Sequence, residues 1–324
     1  MGGSFGCRPF LCGSPGSMRV ESLSMSAPGP ILKSATLGFL TLVWGTTWAA
    51  ITISLRGIPP FTGVALRFAI AAVLLIAYAR LMGIPLAATN RRDRRLRILH
   101  ALLTFCGSYG IVFWAEQWVP SGLASVLFAT FPLLVAVLAH FALPAERMTA
   151  PVLVGTGLGF AGIAVIFAED FELLGGSMVA VASVVMLLSP VVAAIVSVVV
   201  KRWGSGMHPV PFNAVAMVLA AGIMGVVAAL VERHRPVVFD PGPVAALFYM
   251  AIAGTAITFP LYFWLLEHME ARQVALIGYG TPVVALFLGV VFMGEPMTVR
   301  TWVGSAMVVV GVAVASHTRK RGAR

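Results

Sequence analysis

Ten long apolar stretches occupy almost the whole chain, and they constrain its fold more than any other feature. A helix needs about 20 apolar residues to cross the hydrocarbon core of a bilayer. Stretches of that kind, which we number as spans 1 to 10, lie at about residues 31–55, 61–82, 98–118, 121–143, 150–168, 175–200, 210–231, 242–266, 272–293 and 299–316. The loops between them are too short for a soluble domain. The sequence therefore predicts an all-α integral membrane protein with ten transmembrane helices.

The composition agrees with lipid as the solvent of this chain. Hydrophobic residues make up 59% of the sequence and charged residues only 10%, whereas a soluble domain carries about 25% charged residues. The net charge of +10 would suit a nucleic-acid partner in a soluble protein, but here the bases lie in loops and tails between apolar runs. We therefore expect membrane lipid and a small molecule as partners, and no nucleic acid.

The distribution of lysine and arginine predicts the orientation in the membrane, since these residues favour cytoplasmic loops. If the amino terminus is cytoplasmic, 17 of the 22 bases lie inside and 4 lie outside, and Arg67 is left within span 2. We expect a multi-pass protein of the cell inner (cytoplasmic) membrane with both termini in the cytoplasm. Residues 1–30 are predicted to be a disordered tail, and residues 317–324 a basic cytoplasmic tail.

The chain also contains an internal repeat, with residues 31–168 matching residues 175–316. The offset drifts from 151 to 149, and the matches least expected by chance are Pro60 with Pro211, Phe113-Trp114 with Phe263-Trp264, Pro132 with Pro282 and Glu146 with Glu295. Two glycine pairs also match, Gly155 with Gly304 and Gly162 with Gly311. Each half contributes five spans. Because five is odd, the second half enters the membrane inverted, which is the architecture of secondary transporters.

Several short motifs give the chain a family resemblance. They are Trp44-Gly45-Thr46-Thr47-Trp48, Leu66-Arg67-Phe68, Ala115-Glu116-Gln117, Val119-Pro120-Ser121-Gly122, Gly254-Thr255-Ala256, Thr281-Pro282-Val283 and Gly294-Glu295. With them the chain resembles the drug/metabolite transporter superfamily in its EamA branch, over about residues 31–316. The resemblance implies transport of an amino acid, another metabolite or a drug-like compound, often outward. It does not identify the substrate.

Two ionisable residues are candidates for the transport pathway. Arg67 lies about seven residues into span 2, roughly 10 Å deep, where a charge marks a pathway or a buried pair by default. The alternative is that its side chain snorkels to the interface. Glu116, near the end of span 3, is expected to bind a substrate ammonium group, take up a coupling proton or pair with Arg67. The alternative is an interfacial residue in water.

Span 1 and two prolines supply the other candidates for substrate binding. Trp44 and Trp48 are four residues apart and share one helical face, so they can stack on a flat or cationic ligand or simply pack, with the Thr47 hydroxyl nearby. Pro132 and Pro282, near the centres of spans 4 and 9, each remove a backbone hydrogen bond. Such breaks are tolerated where the backbone lines a cavity, or they serve as packing kinks.

The repeated aromatic pairs suggest gates. Phe113-Trp114 lies near the outer end of span 3 and Phe263-Trp264 near the inner end of span 8, so the pairs could close the two sides of a cavity in turn. The alternative is that both pairs are interfacial anchors. Glu146 and Glu295 occupy equivalent helix junctions and are expected to be caps or inter-helix anchors.

Other classes of membrane protein have less support in the sequence. A channel would need a charged ring or carbonyl filter, and a membrane enzyme would need a metal motif or a nucleophile with its base. Neither pattern is visible, the three cysteines lack ligand spacing, and no GxxxxGK[ST] phosphate loop is present. We therefore expect no catalysis, metal, cofactor or ATP hydrolysis. A gradient would drive transport, by proton exchange or facilitated flow, and the oligomeric state is left open.

Overall fold

The computed structural model describes residues 29–88, 90–143, 148–168, 176–275 and 277–316. Its helices, numbered to correspond to the predicted spans, are α1 Pro30–Leu55, α2 Pro60–Leu81, α3 Arg91–Ala115, α4 Ser121–Ala142, α5 Ala150–Phe167, α6 Ser177–Trp203, α7 Pro209–Val231, α8 Pro241–His268, α9 in two segments (Ala271–Ala275 and Ile277–Met293) and α10 Val299–Ser316. Nearly all of the two predicted tails, and Glu146, lie outside the described residues.

The ten helices match the ten predicted spans one to one, so the predicted fold class is confirmed. Helices α1 to α8 are each long and apolar enough to cross a membrane, while α9 and α10 are shorter apolar helices. Four of the helices begin with a proline, at Pro30, Pro60, Pro209 and Pro241. Proline suits the first helical position because the missing N–H would have no partner in the helix there.

The predicted start of span 3 at residue 98 was wrong, because α3 begins seven residues earlier at Arg91. The Asn90 side chain accepts a hydrogen bond from the Asp93 backbone N–H at 2.9 Å and so caps the helix. Arg97, in this first part of α3, donates to the Leu86 carbonyl at 2.6 Å. The basic segment is therefore a helical extension beyond the apolar run and not a loop.

Proline-associated interruptions divide α4 and α6. The helical segments of α4 are Ser121–Phe128 and Phe131–Ala142, so Pro132 lies near the centre of the span, as predicted, in the first turn of the second segment. Helix α6 is interrupted at Leu187, just before Pro190. Pro282, in contrast, lies inside the helical segment Ile277–Met293.

Two π-helical segments occur at equivalent places of the repeat. In α3 the backbone is π-helical over His100–Ser108, and in α8 it is π-helical over Ile252–Ile257. The repeat offset of 150 maps the second segment onto residues 102–107, inside the first. Helical bulges of this kind are rare and often occur at functional sites. Both halves therefore carry the same local distortion in the same transmembrane helix.

The two halves pack against each other in a symmetric way. Helix α1 contacts α8 and α9, and its repeat equivalent α6 contacts α3 and α4. Helices α5 and α10 meet at glycines, because a Cβ added to Gly162 would lie 2.6 Å from the Gly304 carbonyl oxygen and one added to Gly311 would lie 2.6 Å from that of Gly155. The same glycines match each other in the sequence repeat. Because glycine has no side chain, they permit the close approach of the two equivalent helices.

The helices alternate in direction, so the start of α1 and the end of α10 lie at one end of the bundle, which we call the terminal end. The opposite end is called the far end. At the far end the Glu295 carboxylate accepts hydrogen bonds from the backbone N–H groups of Ser121 (2.8 Å) and Gly122 (2.9 Å), so its predicted role as a helix cap is confirmed. Gly294, with a φ of 65°, turns the chain directly before this carboxylate.

Candidate functional site

A cavity lies between the two halves, near the middle of the bundle. The space between its lining atoms is about 900 Å³, which includes the part that is open to solvent. Its walls are formed by α1, α2, α3, α4, α6, α8 and α9, and the lining residues are Trp44, Thr47, Trp48, Ile51, Arg67, His100, Thr104, Ser108, Tyr109, Val112, Phe128, Phe131, Ala193, Val196, Ser197, Phe259, Tyr262, Phe263, Ile277, Gly278 and Thr281. Both halves therefore contribute to one site.

The two tryptophans of span 1 both line this cavity. Trp44 is held by α8, since its indole N–H lies 3.0 Å from the Thr258 hydroxyl and 3.3 Å from the Gly254 carbonyl oxygen. Trp48 packs on Phe128 with ring centroids 5.6 Å apart. The Thr47 hydroxyl donates to the Trp44 carbonyl at 2.7 Å, although Thr47 lines the cavity too. The two indoles form an aromatic wall with Thr47 between them, and the role of the three residues as substrate ligands stays a prediction.

Arg67 is the most deeply buried charged side chain of the cavity lining, at 1% exposure. Its Nε donates to the Thr255 hydroxyl at 2.7 Å, and its Nη2 donates to the Gly254 carbonyl at 3.1 Å. The guanidinium carbon also lies 4.8 Å from the centre of the Tyr109 ring. Because these contacts tie Arg67 into the bundle, the interpretation that it snorkels to the interface is wrong.

The π segment of α8 creates this binding place for Arg67. Gly254 and Thr255 belong to that segment, and the Gly254 carbonyl accepts hydrogen bonds from side chains of both α1 and α2. The Thr255 hydroxyl donates to the Met250 carbonyl at 2.8 Å, which leaves its oxygen lone pair for the Arg67 Nε. The local distortion of α8 therefore supplies acceptors that Arg67 uses in place of a carboxylate.

Glu116 does not lie in a span, does not line the cavity and does not pair with Arg67. It directly follows the end of α3 at Ala115, is 5% exposed, and accepts a hydrogen bond from Thr52 at 3.2 Å. Its other carboxylate oxygen is buried without a hydrogen-bond partner. The predicted ion pair is therefore wrong, as is the alternative that Glu116 lies in water, and Glu116 is a buried polar contact between α1 and α3.

Helix α3 also contributes polar residues to the cavity lining that were not predicted from the sequence. His100 is fully buried, its Nε2 lies 3.2 Å from the Asn213 side-chain oxygen, and its ring stacks on Phe212 at 4.8 Å. Thr104 and Ser108 follow on the same helix and also line the cavity. The spacing of four between residues 100, 104 and 108 was the signal in the sequence, since polar residues at that spacing share a face.

The aromatic pairs proposed as gates split into two kinds of residue. Phe263 lines both the central cavity and a second pocket at the terminal end, which also contains Lys201 and Glu267. Phe113 is fully buried, and its ring lies 5.9 Å from the Arg67 guanidinium carbon. The phenylalanines therefore face into the bundle on the two sides of the cavity.

The tryptophan of each pair has a different surrounding and does not line the cavity. Trp114 packs on Trp118 and Trp264 packs on His268, each with ring centroids 4.9 Å apart. In both contacts the partner residue lies four positions further along the chain than the tryptophan. The structure thus fits the gate interpretation for the phenylalanines better than for the tryptophans.

The two matched prolines lie behind the cavity wall and not in its lining. A Cβ added to Gly278, a lining residue, would lie 2.8 Å from the Pro132 ring, so Pro132 supports the wall at this point. Pro282 directly follows the lining residue Thr281. Neither proline is thus placed to contact a molecule in the cavity directly.

Fold and cavity together define a class, the polytopic helical membrane proteins whose inverted repeats enclose a central cavity. The sequence model of the EamA-like transporter family matches residues 33–168 and again residues 179–317, one match for each half. The chain therefore belongs to the EamA-like transporter family, and at this level it is a transporter of the drug/metabolite type.

The chain is also similar to known proteins in sequence and in structure. The chain is 27% identical to the "Uncharacterized transporter YoaV" of Bacillus subtilis (strain 168), over 87% of this chain and 96% of that protein. It is 28% identical to the "Uncharacterized inner membrane transporter YedA" of Escherichia coli (strain K12), over 85% and 87% of the two chains. A protein of known crystal structure shares the fold with a TM-score of 0.68 at 21% identity, covering 89% of this chain and 97% of its own.

Proposed function

We propose that this protein is a secondary transporter that exports a small metabolite, such as an amino acid or a drug-like compound, by alternating access. The central cavity is the substrate site, and the two inverted halves move around it. The protein lies in the cell inner membrane with both termini in the cytoplasm. Substrate movement follows a gradient, by proton exchange or by facilitated flow.

One observation carries this proposal, namely that a cavity lined by both inverted halves lies between them with a phenylalanine on each side. Phe263 separates the cavity from the terminal-end pocket, and its repeat equivalent Phe113 is buried next to Arg67. Alternating access in an inverted repeat requires two similar closures, of which one opens while the other is shut. Aromatic rings suit such closures because they pack without burying unpaired polar groups.

The distribution of bases supports the proposed orientation. The terminal end carries the basic start of α3 together with Lys33, Arg80, Lys201 and Arg202, whereas far-end bases are few. Cytoplasmic loops are enriched in lysine and arginine, so the terminal end is the cytoplasmic one. The inner-membrane name of the relative YedA is consistent with this location.

Transport is tested with purified protein in vesicles. Vesicles with the protein, and empty vesicles, are loaded with a mixture of amino acids and other small metabolites, and efflux of each compound is measured by mass spectrometry. We expect saturable efflux of at least one compound. Ala193→Trp, which fills the cavity wall, should abolish that efflux, while Val226→Trp on the exposed face of α7 should retain it. Equal efflux from empty vesicles for every compound, or full activity of Ala193→Trp, would refute the proposal.

Orientation is tested by labelling single cysteines in intact cells, in a background without the native cysteines. Ser205, in the exposed turn before α7, lies at the terminal end, and His234, in the exposed turn after α7, lies at the far end. We expect a membrane-impermeant maleimide to label His234→Cys but to label Ser205→Cys only after the cells are permeabilised. The opposite pattern would place both termini outside.

A further inference from the structure

The electrostatic character of the central cavity is set by one residue. Among the described side chains that line it, Arg67 is the only charged one, and the remaining polar lining consists of hydroxyl groups, indoles and His100. Among the residues that the structure describes, no carboxylate lies within 4.0 Å of Arg67, and Glu116 acts on it only through charge at longer range. The lining thus presents a positive charge with no carboxylate in direct contact.

Arg67 also has hydrogen-bonding capacity left over. A guanidinium group carries five N–H donors, and three of them have acceptors here, namely the Thr255 hydroxyl, the Gly254 carbonyl and, at 3.6 Å, the Met250 sulfur. A buried charge without full compensation is costly. An anionic ligand group in the cavity would provide the missing acceptors and the missing negative charge together.

Two further polar atoms of the lining lack partners. The His100 Nδ1 and the Thr104 hydroxyl oxygen are both buried without a hydrogen bond, and both residues line the cavity. They lie one turn apart on α3, directly behind the cavity surface, and neither atom is open to the cavity in this conformation. Buried polar atoms without partners in native proteins call for an explanation such as a bound molecule, and here they accompany Arg67 in the same cavity.

The remaining walls favour a planar apolar body. Trp44, Trp48, Tyr109, Phe259 and Tyr262 all contribute rings to the lining. An aromatic cage can also bind cations, but the Arg67 charge disfavours a cation in the same low-dielectric space. Glu116, the carboxylate at the end of α3, does not line the cavity and offers no site for an ammonium group.

We propose that the cavity binds an aromatic monocarboxylate, with the carboxylate against Arg67 and the ring among the aromatic side chains. This inference rests on the proposed function because it names the substrate class of the same cavity. A site of this kind prefers a negatively charged ligand, whereas a site for cationic drugs would prefer a positively charged one.

The test compares three probes that share one apolar body, namely 3-phenylpropionate, its neutral amide and 3-phenylpropylamine. Binding to the purified full-length protein in detergent is measured by calorimetry. We expect the carboxylate to bind about tenfold to a hundredfold more tightly than either of the others, since a hydrogen bond to a charged group is worth that factor. Tighter binding of the amine or the amide, equal binding of all three, or no binding of any, would overturn the proposal.

Variants locate the effect at Arg67. Arg67→Gln should remove the preference for the carboxylate, Arg67→Lys should retain most of it, and Arg80→Gln, which removes an exposed arginine from the same helix, should leave it unchanged. A preference that survives Arg67→Gln would overturn the assignment. If Arg67→Gln does not fold, the ranking of the three probes on the wild-type protein still decides the question.

Failure of the substrate class and failure of the transport function give different results. Preferential binding of the carboxylate without saturable flux of any compound in vesicles would support the cavity assignment and refute transport. Saturable flux of other compounds without an Arg67-dependent preference would leave transport intact and refute the substrate class.

Discussion

Glu232 connects the two halves at the far end, and its removal offers a graded test of how the bundle is held together. It follows the end of α7 and is 5% exposed. Its carboxylate accepts from the backbone N–H of Phe61 and from the backbone N–H and hydroxyl of Thr62, each at 2.8 Å. Helix α2 has no cap from the residue that precedes it, so Glu232 supplies the N-terminal cap from the other half.

The expected magnitudes follow from what each substitution leaves unpaired. Glu232→Ala leaves two partly buried backbone N–H groups without acceptors, at about 1.5 kcal/mol each, and removes a favourable charge at a helix N-terminus, worth about 1 kcal/mol. We expect a loss of about 4 kcal/mol in the free energy of unfolding. Glu232→Gln keeps one acceptor and should cost about 2 kcal/mol, and Thr62→Ala, which removes one hydroxyl bond, about 1 kcal/mol.

The assay is denaturant unfolding of the purified protein in micelles, followed by helical circular dichroism. Glu267→Ala serves as the matched control, since Glu267 is an exposed glutamate near the end of α8. We expect the order Thr62→Ala, Glu232→Gln, Glu232→Ala in increasing loss of stability. If Glu232→Ala is as stable as Glu267→Ala, the carboxylate does not hold α2, and the argument from its hydrogen bonds fails.

Three further predictions concern the gates, the glycine contacts and the second cap. Phe263→Ala should increase the accessibility of a cavity cysteine from the terminal end, and Phe113→Ala from the far end; unchanged labelling in both would refute the gate interpretation. Gly162→Ala should cost about 1–3 kcal/mol through overpacking, whereas Gly157→Ala, with open space around it, should be neutral in the same unfolding assay. Glu295→Ala should cost less than Glu232→Ala, because Glu295 is only half-buried and caps two donors instead of three; an equal or larger loss would contradict this.

The sequence was sufficient to predict the global fold because lipid imposes simple rules. Apolar length identified all ten helices, and the matches Gly155 with Gly304 and Gly162 with Gly311 identified the repeat, whose glycines then proved to touch across the bundle. The predicted helix ends were less accurate where a helix continues as a polar segment beyond the apolar run, as α3 does from Arg91. Hydropathy detects only the apolar part of such a helix.

The site could be predicted only in part, since contacts between distant residues have no local signal. The face shared by Trp44 and Trp48 followed from helical periodicity, and both residues line the cavity. Arg67 was identified by its depth, but its partners Gly254 and Thr255 are about 190 residues away along the chain and depend on a π segment that periodicity does not reveal. Glu116 was proposed as the partner of Arg67 from opposite charge and similar depth, but it follows the end of α3 and contacts Thr52 instead.

The paired π segments have a consequence for insertions and deletions. A π turn holds about one residue more than an α turn, so it accommodates an extra residue without changing the face on which the following residues lie. Loss of a single residue within Ile252–Ile257 that restored α geometry would therefore leave Phe259, Tyr262 and Phe263 directed toward the cavity. It would act on Arg67 instead, because it removes the distorted turn in which Gly254 and Thr255 serve as acceptors. The same deletion in the α-helical part of α8, Pro241–Ala251, would rotate everything that follows by about 100°.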